Sequence, residues 1–149
     1  LLKGLSVDGT LISPAFSYER VQDDIFLSRE EAVKKFREMA DFFLRFPFMN
    51  SPLYVDFLKG GRQMRCTPWG NPTRNPLGWK SPCYLITDTY YPSFGEMMEK
   101  TPWERYGTGN DPRCRDCMVH SGYEATAMRD AFSKPKDLLR LILWNMKKT

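Results

Sequence analysis

The sequence predicts a mixed α/β chain, α+β in its C-terminal part, on three observations. A short strand pattern at residues 6–13 ends on Ser13-Pro14. A long amphipathic helical run opens at Ser28, and further helical patterns follow. Between them, two β-prone stretches flank a segment dense in Gly, Pro, Asn and Trp, the composition of a long hairpin with an ordered loop. A boundary near residue 60 divides a first part, residues 1–60, from a second, residues 61–149, which holds every cysteine.

The bulk numbers narrow the function classes. With 149 residues, 42% apolar and 27% charged, the chain suits one globular domain or two small lobes rather than a disordered tail. Its net charge of +4 is spread over both signs, with no Lys/Arg block and no aromatic-basic repeat, so nucleic acid is not an expected partner. No apolar run approaches the roughly 20 residues of a membrane span; a peripheral lipid contact is compatible with the sequence but not demanded by it. The chain begins at Leu1 in what reads as the approach to a strand, which points to an N-terminal truncation and leaves a signal peptide untested.

Taken in order, the proline after Ser13 stops the first strand, and the polar stretch after it, with Tyr18, Glu19 and Arg20, is a loop at a strand's carboxyl end. Ser28 and Glu31 form a capping box, and Ala32, Val33, Phe36, Met39, Ala40, Phe43 and Leu44 recur at helical spacing up to the stop at Pro47. Ser51-Pro52 starts a second helix that runs to Gly60-Gly61. The hairpin arms are expected at residues 63–67 and 82–87. Ser93 and Glu96 cap a helix to Lys100, residues 122–132 form another, and residues 133–148 a last one rich in Leu, Ile and Trp.

Four cysteines fall as two pairs. Cys66 and Cys83 frame a C-x11-G-x4-C segment, with one cysteine where each hairpin arm meets the loop; Cys114 and Cys117 form C-x2-C, the spacing that lets two thiolates of one tight turn reach a common metal centre. A C-x2-C turn is a poor place for two separate bridges, and a chain of this size needs no stapling, so a metal site is favoured over disulfides. Four sulfur ligands suit zinc and an iron–sulfur cluster alike. His120, the lone histidine, follows Cys117 by three residues; a helix-start or supporting role is favoured over ligation. Trp69, Trp79 and Trp103 read as packing around the site, and nothing requires Arg74 or Asn75 to touch a cofactor. There is no phosphate-cradling glycine loop and no G-x-S-x-G, and one histidine leaves little room for a triad.

The paired cysteine pattern resembles the twitch/SPASM auxiliary-cluster region of radical S-adenosylmethionine (SAM) enzymes. The strings Val7-Asp8-Gly9, Ser13-Pro14, Phe16-Ser17-Tyr18-Glu19, Cys66-Thr67-Pro68-Trp69-Gly70-Asn71-Pro72-Thr73, Trp79, Pro82-Cys83-Tyr84-Leu85, Tyr106-Gly107-Thr108-Gly109-Asn110, Cys117-Met118-Val119-His120 and Gly122-Tyr123-Glu124 are similar to the radical SAM adenosyl-hopene transferases of hopanoid biosynthesis, in family order along nearly the whole chain. The resemblance implies a C-terminal portion of such an enzyme: the end of a partial TIM-type barrel with connecting helices over residues 1–60, then a four-cysteine domain over residues 61–149. It tips the metal towards an auxiliary [4Fe-4S] cluster on Cys66, Cys83, Cys114 and Cys117, with zinc as the alternative.

In the full-length enzyme it further implies SAM, a second [4Fe-4S] cluster, a hopene-type triterpene substrate, an electron donor such as flavodoxin or ferredoxin, and a cytoplasmic location, with membrane association left open. Tyr18 and Glu19 are the positions it offers for lining the SAM or substrate cavity. The C-x3-C-x2-C motif that binds the SAM-cleaving cluster is absent here, so this chain alone should be inactive. Ser121 stands where the family is expected to show a cysteine, and Ala125 where it favours proline. A reading from another class, a free-standing zinc- or cluster-binding interaction module, is separated from the enzyme by whether coding sequence upstream carries that motif about 200 residues ahead, in line with barrel size.

Overall fold

The computed structural model describes residue 4 and residues 8–16, 25–46 and 48–146. The start of the first expected strand, the loop residues Tyr18, Glu19 and Arg20, Pro47 and the terminal Lys147 and Lys148 lie outside the described residues, as does the side chain of Leu44. The described chain is α+β: six α-helices and one three-stranded antiparallel sheet among the described residues.

Ser28 opens α1 (Arg29–Glu38) with the full capping box: its hydroxyl accepts from the Glu31 N–H, and Glu31 accepts from the Ser28 N–H at 2.9 Å. The helix does not run on to residue 47 as its periodicity predicts. At Met39–Asp41 the backbone tightens into three-residue bonds, Ala40 to Arg37 and Phe42 to Met39, before the single turn α2 (Phe42–Arg45). The break sets Phe43 against Phe36, ring centres 6.2 Å apart, and against Phe48 at 4.9 Å. The Ser51 hydroxyl and Pro52 then start α3 (Pro52–Leu58), which ends before Gly60 in a left-handed conformation (φ 71°).

The predicted hairpin is not the one that forms. Residues 63–67 enter no strand; their backbone is stapled to a helix, with Thr67 N–H donating to Gly122 O and Arg65 O accepting from the Thr126 hydroxyl. The sheet lies wholly later in the chain: β1 (Arg74–Asn75), β2 (Gly78–Pro82) and β3 (Thr87–Tyr91), in the order β1-β2-β3. Residues 83–86, expected in an arm, form the turn between β2 and β3, closed by Cys83 N–H to Ile86 O. Pro82 has no N–H with which to extend the ladder, and the register shifts there. The expected strand at residues 6–13 is reduced, where described, to one parallel bridge between Thr10 and Phe48.

Ser93 caps α4 (Phe94–Lys100) as predicted. α5 (His120–Phe132) begins two residues early, and α6 (Pro135–Met146) two late, because Ser133 closes α5. Two cores join these helices. Phe36, Tyr54, Phe57, Leu58, Met118 and Tyr123 lock α1 and α3 onto the start of α5; Leu53, Ala127, Ala131 and Leu141 seat α6. Each fully buried large side chain contributes about 1.5–3 kcal/mol. The apolar residues of α6 are not all spent on packing: Leu141 is buried, while Leu139, Ile142, Leu143 and Met146 are exposed. Among the described residues no helix is long and apolar enough to cross a membrane.

Candidate metal centre

Three segments converge on one cavity. Cys66 comes from the stretch stapled to α5, Cys83 opens the β2–β3 turn, and Cys114 and Cys117 flank the tight turn ahead of α5, where Cys117 N–H donates to Cys114 O at 3.2 Å. All four cysteines line a small cavity of about 30 Å³, walled by Phe16, Leu85, Ile86 and Tyr123 among others. None is in a disulfide. The four cysteines grouped by their spacing do line one cavity, although the hairpin assumed to bring Cys66 and Cys83 together does not form.

The approach of Cys66 depends on a glycine. A Cβ at Gly122 would overlap the Cys66 Sγ, so only glycine at the first turn of α5 lets the thiol lie there. The Cys114 turn is built by Asp111, whose carboxylate caps it by accepting from the Arg113 N–H at 2.8 Å. Arg113 in turn spans to Asp88 on β3 with a bidentate pair at 2.7 and 2.9 Å, and Tyr106 donates to the same carboxylate at 2.8 Å. Lys80 Nζ holds the Cys83 turn through Tyr84 O at 2.8 Å. These contacts fix the β2–β3 turn and the C-x2-C turn to each other.

Arg29 is the centre of the other wall. Its guanidinium donates to Cys117 O at 2.6 Å, Arg115 O at 3.1 Å, Thr108 Oγ1 at 2.9 Å and Tyr123 OH at 3.1 Å, and lies over the Phe57 and Tyr123 rings. Its backbone N–H donates to Asp116 at 3.0 Å. Sequence reasoning missed this residue. Its side-chain partners lie 79 to 94 positions away, and no local pattern reports a contact of that range.

Two electrostatic effects oppose each other at the sulfurs. Burial pushes all four thiols up, Cys117 to about 12, and neighbouring thiols add to the rise at Cys66, Cys114 and Cys117. Against this, backbone N–H groups are aimed at three sulfurs: Ile86 and Leu85 at Cys83, Gly107 at Cys114, Val119 at Cys117. Arg29 faces Cys66 and Cys117; Lys80 and Arg113 face Cys83. The positive end of α5 begins three residues after Cys117. Gly107 supplies its N–H from a left-handed backbone (φ 97°).

Four cysteines lining one cavity, with N–H donors and cations that favour the ionised form, are the donor chemistry a thiolate-bound metal group would need. Four sulfurs on one zinc would sit about 3.8 Å apart, from a Zn–S bond of about 2.3 Å at the tetrahedral angle. Among the described residues no group of three or more His, Cys, Asp or Glu side chains is set to hold a single ion, although all four cysteines line the cavity.

The remaining candidates fall outside the cavity. His120 starts α5, its N–H donating to the Ser13 hydroxyl at 3.2 Å, and its ring lines a separate shallow depression with Gly70, Asn71 and Glu124. Ser121 hydrogen-bonds the Tyr84 hydroxyl, and the Ala125 methyl abuts Gly70. Arg74 and Asn75 form the edge strand β1, while Trp79 packs edge-on against Phe94 at 5.2 Å. Phe16 does reach the cavity, held by the segment before it: the buried Asn50 amide grips both the N–H and the C=O of Ile12, and Glu124 accepts from Asn50 and from Ser51 N–H. Tyr18 and Glu19 follow Phe16 but lie outside the described residues.

No curated protein and no solved structure matches the chain. A family model described as a domain of unknown function, DUF3463, matches residues 10–141, a span that includes all four cysteines and the elements that carry them. With nearly the whole sequence inside that span, the chain belongs to the DUF3463 family.

Proposed function

We propose that this chain is the C-terminal part of a radical SAM enzyme resembling adenosyl-hopene transferase, with Cys66, Cys83, Cys114 and Cys117 as the ligands of an auxiliary [4Fe-4S] cluster. The observation that carries the site is the convergence on one cavity of every cysteine in the sequence, from three separate segments. The transferase reading rests on the resemblance of the sequence strings; the full-length enzyme would add a 5′-deoxyadenosyl group to a hopene alkene, with residues 1–60 closing its barrel. When bound, such a cluster supplies one-electron transfer, and four cysteine ligands leave no iron open to substrate.

The chain's own residues do the rest. Arg29 and the N–H groups of Gly107, Leu85, Ile86 and Val119 favour the thiolate state that metal binding requires. Phe16, Leu85, Ile86 and Tyr123 shield the cavity from water. With no C-x3-C-x2-C motif, the chain by itself would not cleave SAM.

The test is metal content after anaerobic expression: iron, acid-labile sulfide and zinc per chain, in wild type and Cys114→Ala. Iron and sulfide in equal amounts in the wild type, lost in the variant, is the expected result. One zinc without sulfide would keep the four ligands but overturn the electron-transfer role. Equal metal content in both proteins would overturn the ligand assignment.

A further inference from the structure

Beside the thiol cavity runs a second, larger groove, with about 1120 Å³ of empty space including its mouth; Cys66, Pro68, Tyr106 and Gly107 line both. One wall is aromatic and rigid. The Trp103 indole N–H is fixed on Met98 O at 2.9 Å, and the Trp69 ring meets Trp103 edge-on at 5.1 Å. Another wall is the glycine loop, where Gly109 (φ 94°) leaves open space in which a Cβ would meet nothing within 4 Å.

The charges in this groove are unbalanced. Arg65 and Arg129 both line it, against one acid, Glu104. Arg65 enters no ion pair among the described residues, and Arg129 reaches only its neighbour Asp130, at 3.5 Å. The two arginines rise from one patch: Arg65 O is bonded to Thr126, one helical turn before Arg129 on α5. Two guanidiniums lining one groove make it electropositive, and their fork geometry suits phosphate.

We propose that this groove is a binding site for a phosphate-bearing planar heterocycle, such as a nucleotide, with its ring against the Trp69–Trp103 wall and its phosphate on Arg65 and Arg129. The proposal does not rest on what the cysteines hold, so a negative metal analysis leaves it standing. Bidentate phosphate contacts make each arginine worth about tenfold in affinity.

The test follows tryptophan fluorescence, with calorimetry as a second readout, while the protein is titrated with adenosine and guanosine 5′-monophosphate, with the matching nucleosides, and with inorganic phosphate. Saturable quenching by the nucleotides is expected, weakened at least tenfold in Arg65→Gln/Arg129→Gln, with nucleosides and phosphate each binding more weakly than the nucleotide. Both arginines are exposed, so the double variant should fold, and its unfolding curve checks this. No saturable change up to about 1 mM, equal affinity in the double variant, or phosphate binding as tightly as the nucleotide would each overturn the proposal.

Discussion

Arg29→Met tests whether the thiol cavity is held together by one cation. The variant keeps the stem that packs beside Phe57 and Tyr123 but removes the donors to Cys117 O, Arg115 O, Thr108 Oγ1 and Tyr123 OH. Thr108 and Tyr123 retain each other at 2.8 Å, so the two carbonyls bear the loss. A hydrogen bond from a charged donor is worth about 1.5–3 kcal/mol when buried. Arg29 is half-buried and water can replace part of each bond, which brings the sum to about 2–4 kcal/mol. For a chain of this size that is a fall in Tm of roughly 4–16 °C. The assay is urea unfolding of the metal-loaded protein, with hydrogen exchange at residues 114–119 to locate the damage. Arg29→Lys, which retains the charge but not the fork, should recover less than half of the loss. Stability within about 0.5 kcal/mol of wild type in Arg29→Met would refute the reasoning, because surface substitutions with no structural part fall in that range.

Two further outcomes follow from the same geometry. Gly122→Ala places a methyl on the Cys66 sulfur and should cost about 1–3 kcal/mol while lowering metal retention; metal analysis and unfolding together check it, and full retention would contradict the placement of Cys66. Arg113 holds the Asp88 carboxyl below its ordinary value, so the folded chain binds fewer protons than the unfolded chain in acid. That stability is present above an unfolded pKa of about 3.9 and is lost as pH falls through the lower folded value. Asp88→Asn should flatten this acid limb in a pH series of unfolding midpoints, and an unchanged limb would remove the Asp88–Arg113 link from the account.

What could be read in the sequence was local. The Ser28–Glu31 box, the Ser51-Pro52 start and the Ser93 cap each involve residues three apart or fewer, and each helix begins where those residues place it. The C-x2-C turn is equally local, and chemistry alone paired it with Cys66 and Cys83. The hairpin failed for a reason of range: residues 63–67 have β-prone composition, but their backbone partners are Gly122 and Thr126, some 60 positions on, and a helix outcompeted a strand for them. The same holds for Asn50, which grips Ile12 and so positions the segment leading to Phe16. Composition marks neither; only the packed α3–α5 pair brings them together.

The cavity sets a burial cost against an ionisation requirement. Its apolar walls and the mutual repulsion of the sulfurs favour protonated thiols, as the raised values at all four cysteines express. An inert thiol core would need nothing more. Yet N–H groups are directed at three sulfurs, Arg29 is spent on the carbonyl of Cys117 while facing two thiols, and a helix begins with its positive end beside the pair. Each of these favours negative charge on sulfur, and a packed hydrophobic site gains little from them. The proposed metal group would resolve the opposition, because coordination would remove the thiol protons outright and share the resulting charge. The cations would then neutralise what remains, so on this proposal removing any one of them lowers the unfolding midpoint of metal-loaded protein more than that of metal-free protein.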